Sequence, residues 1–228
     1  MTDTVALYAL DIETDTSPVS DEERSRGFTV RGLDPRVTRV VALSVATRSD
    51  DGVLVAKVWN GNEPDILVAT QNWLAAQRPG LIVTWNGSVF DLPFVDSRAR
   101  QLGVDLDLEL TPDPRIIPKY QSTPGYEGGY SATWAGHRSV DVAYAVREAA
   151  DRANITWSLK PFARWIGLDP VEVNRGKIHE LSPAELDEYV ASDALVTHLV
   201  AEKEHPLLVK AYPDLFEAAL SSDGQSGA

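Results

Sequence analysis

The stretch VALYALDIET, residues 5–14, decides how this chain is organised. Residues 5–12 are apolar and β-prone, which predicts a buried first strand. Asp11 and Glu13 lie two positions apart at its end, so their side chains should point to the same side of the strand. The pair could present two oxygen ligands to one cation, although D-x-E also occurs by chance in an acidic chain. Burial of both carboxylates would be costly without a compensating cation, which favours a metal site.

The residues that follow predict a mixed sheet. TRVVALSVAT (38–47) and LVAKVW (54–59) are typical of two more strands, and the short turn between them indicates an antiparallel meander with the first strand. Apolar residues then recur at helical spacing over 66–75, before an apolar strand at 81–85 and a helix at 89–102. Alternation of strand and helix is typical of parallel crossovers. We therefore predict an α/β fold in which a three-strand antiparallel meander precedes parallel strands, with helices on the flanks.

The remaining sequence predicts a long loop and three helices. Residues 111–136 are rich in Pro, Gly and Tyr without periodicity, which indicates a loop or insertion. Helical patterns follow at 139–153, 159–166 and 183–199. The last of them begins with Ser-Pro-Ala-Glu at 182–185, which combines a serine cap with proline at the first helical position.

Length and composition restrict the chemistry. With 228 residues and 43% hydrophobic content, we expect one domain over residues 1–220 and a flexible tail over 221–228. The chain has no cysteine, which excludes disulfides, thiolate zinc sites and thiol nucleophiles. Its four histidines form no HExxH motif. Any metal ion must therefore be held mainly by oxygen.

Charge argues against a broad phosphate-binding surface. The formal net charge is −13, from 21 basic and 34 acidic residues. Residues 24–39 are an exception to this acidic average, because they contain five arginines and one aspartate. The overall charge therefore does not exclude local contacts to nucleic acid. No apolar run reaches the ~18 residues of a membrane helix, and the N-terminus has no signal-peptide pattern. We expect a soluble, cytoplasmic protein without a membrane partner.

A second candidate motif is WNGSVFDLPF, residues 85–94, where a buried strand ends and a helix begins. A glycine turns the chain, and Asp91 in the first helical turn would project from the C-terminal edge of the sheet. An acid at this position also stabilises the helix dipole, and Asn86 could serve only as a turn former. The segment alone leaves both interpretations open.

The third motif is YVASD, residues 189–193, inside the last predicted helix. Tyr189 and Asp193 are four residues apart and therefore share one helical face, from which both can address a single centre. As an isolated pair they could equally belong to a solvated face.

Taken together, D-x-E, N-x-x-x-F-D and Y-x-x-x-D, in this order, resemble the DEDD superfamily of 3′–5′ exonucleases in its tyrosine (DEDDy) branch. That superfamily has a ribonuclease H-like (DnaQ-like) fold. The stretch WNGSVFDLPF looks most like the proofreading exonuclease domain of family B DNA polymerases and its stand-alone relatives. The resemblance spans about residues 5–200. The histidine branch is disfavoured, because Glu188 stands where that branch has its histidine.

The resemblance implies a site and a reaction. Asp11, Glu13, Asp91 and Asp193 would bind metal, and Tyr189 would orient the attacking water. Two divalent ions can hold a scissile phosphate between them, and all-oxygen ligation with open positions suits Mg²⁺ or Mn²⁺. Without metal the four carboxylates should repel each other and raise at least one pKa.

Contacts to nucleic acid are predicted less directly. Aromatic residues interleaved with basic ones over 115–138 would suit base stacking and phosphate contact, but the loop could also fold its own aromatics onto the core. Arg164, Arg175 and Lys177 follow the same reasoning, whereas Asp141 is interpreted as a structural acid at a helix start. The candidate nucleic-acid-binding residues are Thr14, Asn86, Phe90, Arg115, Lys119, Tyr120, Arg138 and Lys160.

These observations favour a metal-dependent 3′–5′ exonuclease that removes nucleoside monophosphates from single-stranded or frayed 3′ ends. DNA is favoured over RNA only through the likeness of the second motif, and the role could lie in DNA repair or proofreading in trans. Two alternatives stay open: a catalytically silent nuclease-fold binding module, and an endonuclease or resolvase on the same fold. The intact set of four acids disfavours the silent module, because a non-catalytic protein has no physical need for a repulsive cluster.

Overall fold

A computed structural model describes residues 5–223, and these residues contain one seven-stranded mixed sheet in the order β3-β2-β1-β4-β7-β6-β5. The strand β1 pairs in parallel with β4, and β4 in parallel with β7, whereas the other neighbouring strands are antiparallel. The predicted meander followed by parallel strands is confirmed. The strands are β1 (Ala6–Thr14), β2 (Val40–Arg48), β3 (Leu54–Asn60), β4 (Gly80–Thr84), β5 (Leu108–Pro112), β6 (Tyr130–Trp134) and β7 (His137–Asp141).

Helices cover both faces of the sheet. Alternate residues of β1 enter two different cores, with Leu7 and Ala9 in one and Tyr8 and Leu10 in the other. This burial on both faces explains why the first five residues of β1, Ala6 to Leu10, are all apolar. The helices are α1 (Asp21–Ser25), α2 (Glu63–Ala75), α3 (Asp91–Leu102), α4 (Val142–Arg152), α5 (Leu159–Trp165), α6 (Pro183–Lys203), α7 (His205–Ala211) and α8 (Pro213–Asp223), with a 3₁₀ helix at Arg175–Glu180. Within residues 5–223, no helix combines the length and apolar character needed to cross a membrane.

Two predictions about the second half of the chain are wrong in part. Residues 130–134 form β6 within the predicted loop 111–136, and the helix predicted from residue 139 begins only after β7 ends at Asp141. Both strands have only five residues, which is too short for periodicity to separate them from a loop or a first helical turn. They are defined by their partners instead, since β7 pairs with β4 and β6 with β5.

At the C-terminal end, helices α7 and α8 follow α6 where no element was predicted. Residues 221–223 of the expected tail belong to α8, and residues 224–228 lie outside the described part of the chain.

Asp141 fixes the turn between β4 and α3. One carboxylate oxygen accepts hydrogen bonds from the backbone N–H groups of Asn86 at 3.0 Å and Ala143 at 3.1 Å, and the other accepts one from Ser88 at 2.9 Å. Asn86 adopts φ 68°, and a Cβ at Gly87 would lie 2.5 Å from the Cβ of Thr84. The structural role predicted for Asp141 is confirmed, because the residue caps α4 and holds the turn that leads to Asp91.

We expect Asp141→Ala to lower the free energy of unfolding by about 2–4 kcal/mol, because it leaves two buried and one partly buried N–H group without an acceptor. Asp141→Asn keeps one acceptor oxygen and should cost less. Urea denaturation at neutral pH measures both values. A loss below about 0.5 kcal/mol for the alanine variant would contradict this role.

Candidate active site

Three carboxylates from two elements meet at the end of β1. Asp11 and Glu13 project from β1, and Asp193 comes from α6, which packs across β1 and β2. One oxygen of each side chain lies within 4.8 Å of those of the other two. Asp11 and Glu13 are two residues apart and therefore point to the same side of β1. The packing of α6 against this strand brings Asp193, which is far away in sequence, next to them.

Asp91 reaches the same cleft from the start of α3, where it is buried. The backbone N–H groups of Ile12 and of Asp91 itself lower the pKa of its carboxyl, which places that group against the end of β1. All four predicted carboxylates therefore line one cleft. Their role as metal ligands stays a prediction.

Burial and mutual repulsion disfavour the charged forms of this cluster. Burial, then the carboxylates of Asp193, Glu13 and Asp91, raise the pKa of Asp11 well above its usual range. The pKa of Glu13 rises to about 8, chiefly through burial and then through Asp193. Burial and the neighbouring Asp141 raise the pKa of Asp91 to about 7.

Two cations offset part of this repulsion. The ammonium of Lys160 lies 3.3 Å from Asp193 Oδ1 and 4.1 Å from the centroid of the Tyr189 ring, and it donates to the carbonyl of Val171. The guanidinium of Arg175 lies 3.6 Å from Asp193 Oδ2, and its Nε donates to the Tyr189 hydroxyl at 3.1 Å. These contacts hold Tyr189, which is fully buried, next to the cluster.

The donor set fits a hard divalent cation. It consists of carboxylate oxygens, the ligands that Mg²⁺ and Mn²⁺ prefer. Asp193 Oδ1 is buried and, among residues 5–223, accepts no hydrogen bond of good geometry. Its nearest cation is the Lys160 ammonium at 3.3 Å, and the oxygen keeps a lone pair that a metal ion could coordinate.

Four of the predicted nucleic-acid-binding residues lie in the same cleft, which has a volume of about 570 Å³. Aromatic side chains of Trp85 and Trp157 add to its apolar lining. A cleft that combines carboxylates with aromatic walls can take a phosphodiester and the bases beside it. The four predicted residues are Thr14, Asn86, Phe90 and Tyr120.

The other four predicted residues are placed differently. Arg115 pairs with Asp113 at 2.6 Å and, with Arg138, lines a separate cavity of about 190 Å³. Lys160 is buried against Asp193 and is built into the cluster, not exposed on the surface. The ammonium of Lys119 lies over Trp157, a residue that lines the cleft. Sequence patterns could not separate these cases, because basic residues near aromatic ones occur in all of them.

The arginines of residues 24–39 are largely neutralised by acids that precede or interrupt the segment. Arg31 pairs with Glu23 at 2.6 Å and with Asp15 at 3.4 Å. Arg36 pairs with Asp34, and its guanidinium also lies over Phe28. The local positive charge expected from the composition is therefore mostly paired.

The order of the strands in the sheet, with an acidic cleft at the end of β1, places this chain among α/β proteins with a ribonuclease H-like fold. The family described as "DNA polymerase family B, exonuclease domain" matches residues 10–123, half of the chain. The chain belongs to this family, which confirms the predicted resemblance and the prediction that it is an exonuclease.

Curated relatives agree with the family. The chain is 28% identical over 155 residues to the DNA polymerase epsilon catalytic subunit of Candida glabrata, a match that covers 64% of this chain and 6% of the relative. The corresponding protein of Kluyveromyces lactis gives the same values, and that of Saccharomyces cerevisiae is 27% identical over 136 residues, covering 58% and 6%. The matches thus span a small fraction of the length of these relatives.

A solved structure shares the fold. The family B DNA polymerase from the hyperthermophilic archaeon Pyrobaculum calidifontis superposes with a TM-score of 0.60 and 23% identity. The match covers 95% of this chain and 27% of the polymerase.

With metal removed by EDTA, we expect the free energy of unfolding to fall by at least about 2 kcal/mol between pH 5 and pH 8. Glu13 and Asp91 have folded pKa values of about 8 and about 7, above their usual values, so the folded state holds more protons than the unfolded state in this window. Urea denaturation at several pH values measures the slope.

Two controls sharpen this measurement. Mn²⁺ should flatten the slope, because metal binding favours the deprotonated carboxylates, and Glu13→Gln should flatten it in EDTA. A stability in EDTA that stays constant or rises across this range would contradict the electrostatic account.

Proposed function

We propose that this chain is a metal-dependent 3′–5′ exonuclease, in which residues 1–220 act as one domain. It would remove nucleoside monophosphates from the 3′ end of single-stranded or frayed nucleic acid, with DNA favoured over RNA. The carboxylate cluster at one aromatic-lined cleft is the observation that carries the proposal. Membership of an exonuclease-domain family supports it.

Asp11, Glu13, Asp91 and Asp193 would hold two divalent ions, Mg²⁺ or Mn²⁺. When bound, such ions supply Lewis-acid activation of water and charge stabilisation at the leaving 3′ oxygen. The protein's own contribution is to keep four carboxylates converged despite their repulsion, with the buried Lys160 and the more exposed Arg175 as counter-ions to Asp193.

Tyr189 would orient the attacking water through its hydroxyl, which Arg175 fixes in place. In the reaction, water forms a bond to the terminal phosphorus, the bond from phosphorus to the 3′ oxygen of the preceding nucleotide breaks, and that oxygen takes up a proton. A hydrogen-bonded phenol in a buried position loses little freedom when it orients a reactant. Phe90 and Trp85 line the cleft and would contact the terminal base and sugar.

The type of nucleic acid and the biological role are proposed on grounds other than the carboxylate cluster. The preference for DNA is supported by the similarity to DNA polymerases, and the single-stranded 3′ end by the aromatic lining of the cleft. Proofreading or repair in trans and a cytoplasmic location stay predictions from the sequence.

We expect the purified chain to shorten a 5′-labelled single-stranded DNA oligonucleotide from its 3′ end in Mg²⁺ or Mn²⁺, and to release mononucleotides. EDTA should stop the reaction. Asp11→Ala and Asp193→Ala should lower the rate by at least about 1000-fold, and Tyr189→Phe by a smaller factor. Denaturing gels on DNA and RNA substrates measure these rates.

The matched control is Asp105→Ala, which removes an exposed acid outside the cleft and should leave the rate unchanged. Internal fragments in place of mononucleotides would favour the endonuclease or resolvase. Absence of cleavage of either strand by folded protein with either metal would favour the silent binding module.

Arg175→Gln should slow cleavage by about 10- to 100-fold at saturating metal, because the Tyr189 hydroxyl loses the donor that holds it. If Arg175 acts through Tyr189, the double variant with Tyr189→Phe should be no slower than the slower single variant. Single-turnover rates test this coupling.

The control for this cycle is Arg152→Gln, which removes an exposed arginine of α4 that lies 3.7 Å from Glu148 and does not line the cleft. It should have no effect on the rate. Additive losses in the double variant would show that Arg175 acts independently of Tyr189.

A further inference from the structure

A tyrosine beside the cleft is held rigidly with part of its ring exposed. Tyr120 stacks on Trp157 with ring centroids 6.2 Å apart and planes 22° apart, and its hydroxyl donates to the carbonyl of Trp157 at 2.7 Å. Trp157 is 1% exposed, whereas Tyr120 is 46% exposed, and both line the cleft. Tyr120 therefore offers an aromatic surface whose orientation is fixed before any ligand binds.

Two cations flank this aromatic pair. The ammonium of Lys119 lies 5.2 Å from the Trp157 ring centroid, and the guanidinium carbon of Arg147 lies 5.1 Å from it. Among residues 5–223, no carboxylate lies within ion-pair distance of Lys119, and Arg147 reaches Asp151 only at 4.0 Å. Most arginines of this acidic chain have close carboxylate partners, as Arg115, Arg31 and Arg36 do.

We propose that Tyr120, Lys119 and Arg147 form a strand-binding platform for the nucleotides that precede the scissile bond. The inference rests on the proposed function and extends it beyond the site of cleavage. A base would stack on Tyr120, and Lys119 and Arg147 would contact phosphates of the same single strand. In a chain of net charge −13, such a platform supplies the local attraction that a polyanionic substrate needs.

The platform makes two separable contributions, which binding experiments can resolve. Each phosphate contact to a single strand steepens the dependence of log affinity on log salt by about 0.7. Stacking contributes affinity that depends little on salt, about tenfold or more for one base. Variants of the cations should therefore change the slope, and variants of Tyr120 the affinity at a fixed salt concentration.

The test uses the full chain in EDTA and the fluorescence anisotropy of 5′-labelled oligothymidylates of 3 and 12 nucleotides, over a series of KCl concentrations. For the 12-mer, Lys119→Ala with Arg147→Ala should make the slope shallower by about 1.4. Tyr120→Ala should weaken binding by about tenfold or more with the slope retained, and Tyr120→Phe should weaken it less. The 3-mer should respond less to all of these changes than the 12-mer.

Arg152→Ala is the matched control, since Arg152 is an exposed arginine on the same helix as Arg147, whereas only Arg147 of the two lies over the Trp157 ring. It should leave the slope unchanged. An unchanged slope in the Lys119/Arg147 variant, in a chain that still binds the 12-mer and degrades it with Mn²⁺, would overturn the platform and leave the exonuclease intact. A wild-type chain that neither binds nor degrades the oligonucleotide would overturn both.

Discussion

The dominant constraint on this molecule is the electrostatic cost of gathering carboxylates at the end of a buried strand. Asp11, Glu13 and Asp193 converge within one small volume, and burial raises the pKa of each. Repulsion raises the pKa values of Asp11 and Glu13 further, whereas Lys160 and Arg175 oppose the rise at Asp193. Such a cluster persists only if the surrounding fold is rigid enough to hold it. The two-sided core around β1, the packing of α6 and the buried pair of Lys160 and Asp193 provide that rigidity.

The acidic surplus of the chain and its proposed polyanionic substrate are reconciled by local structure. Basic residues near the first motif are neutralised within their own loop, where Arg31 pairs with Glu23 and Asp15. The cleft itself has apolar, aromatic walls. We infer that recognition depends more on stacking and on a few placed cations than on a broad positive field.

Much of this architecture could be predicted from the sequence because the strongest signals are local. The apolar run of β1 and the capping sequence before α6 specify their elements directly. The short strands β6 and β7 could not be predicted, because their pairing with distant strands defines them. Lys160 and Arg175 belong to no recognisable spacing, so their contacts with Asp193 and Tyr189 become visible only when α5 and the 3₁₀ helix are packed beside α6.

The backbone of Asp141 is also held by a residue from the C-terminal part of the chain. Its backbone N–H donates to the hydroxyl of Tyr212, and that hydroxyl donates to its carbonyl, each at 3.2 Å. Tyr212 lies between α7 and α8, beyond the last of the three motifs. A fragment cut after α6 would keep every candidate catalytic residue and still lose the partner of the strand end that supports Asp91. The structural unit that supports the site is therefore larger than the three motifs, because a residue beyond α6 supplies a buried hydrogen-bond partner to the end of β7.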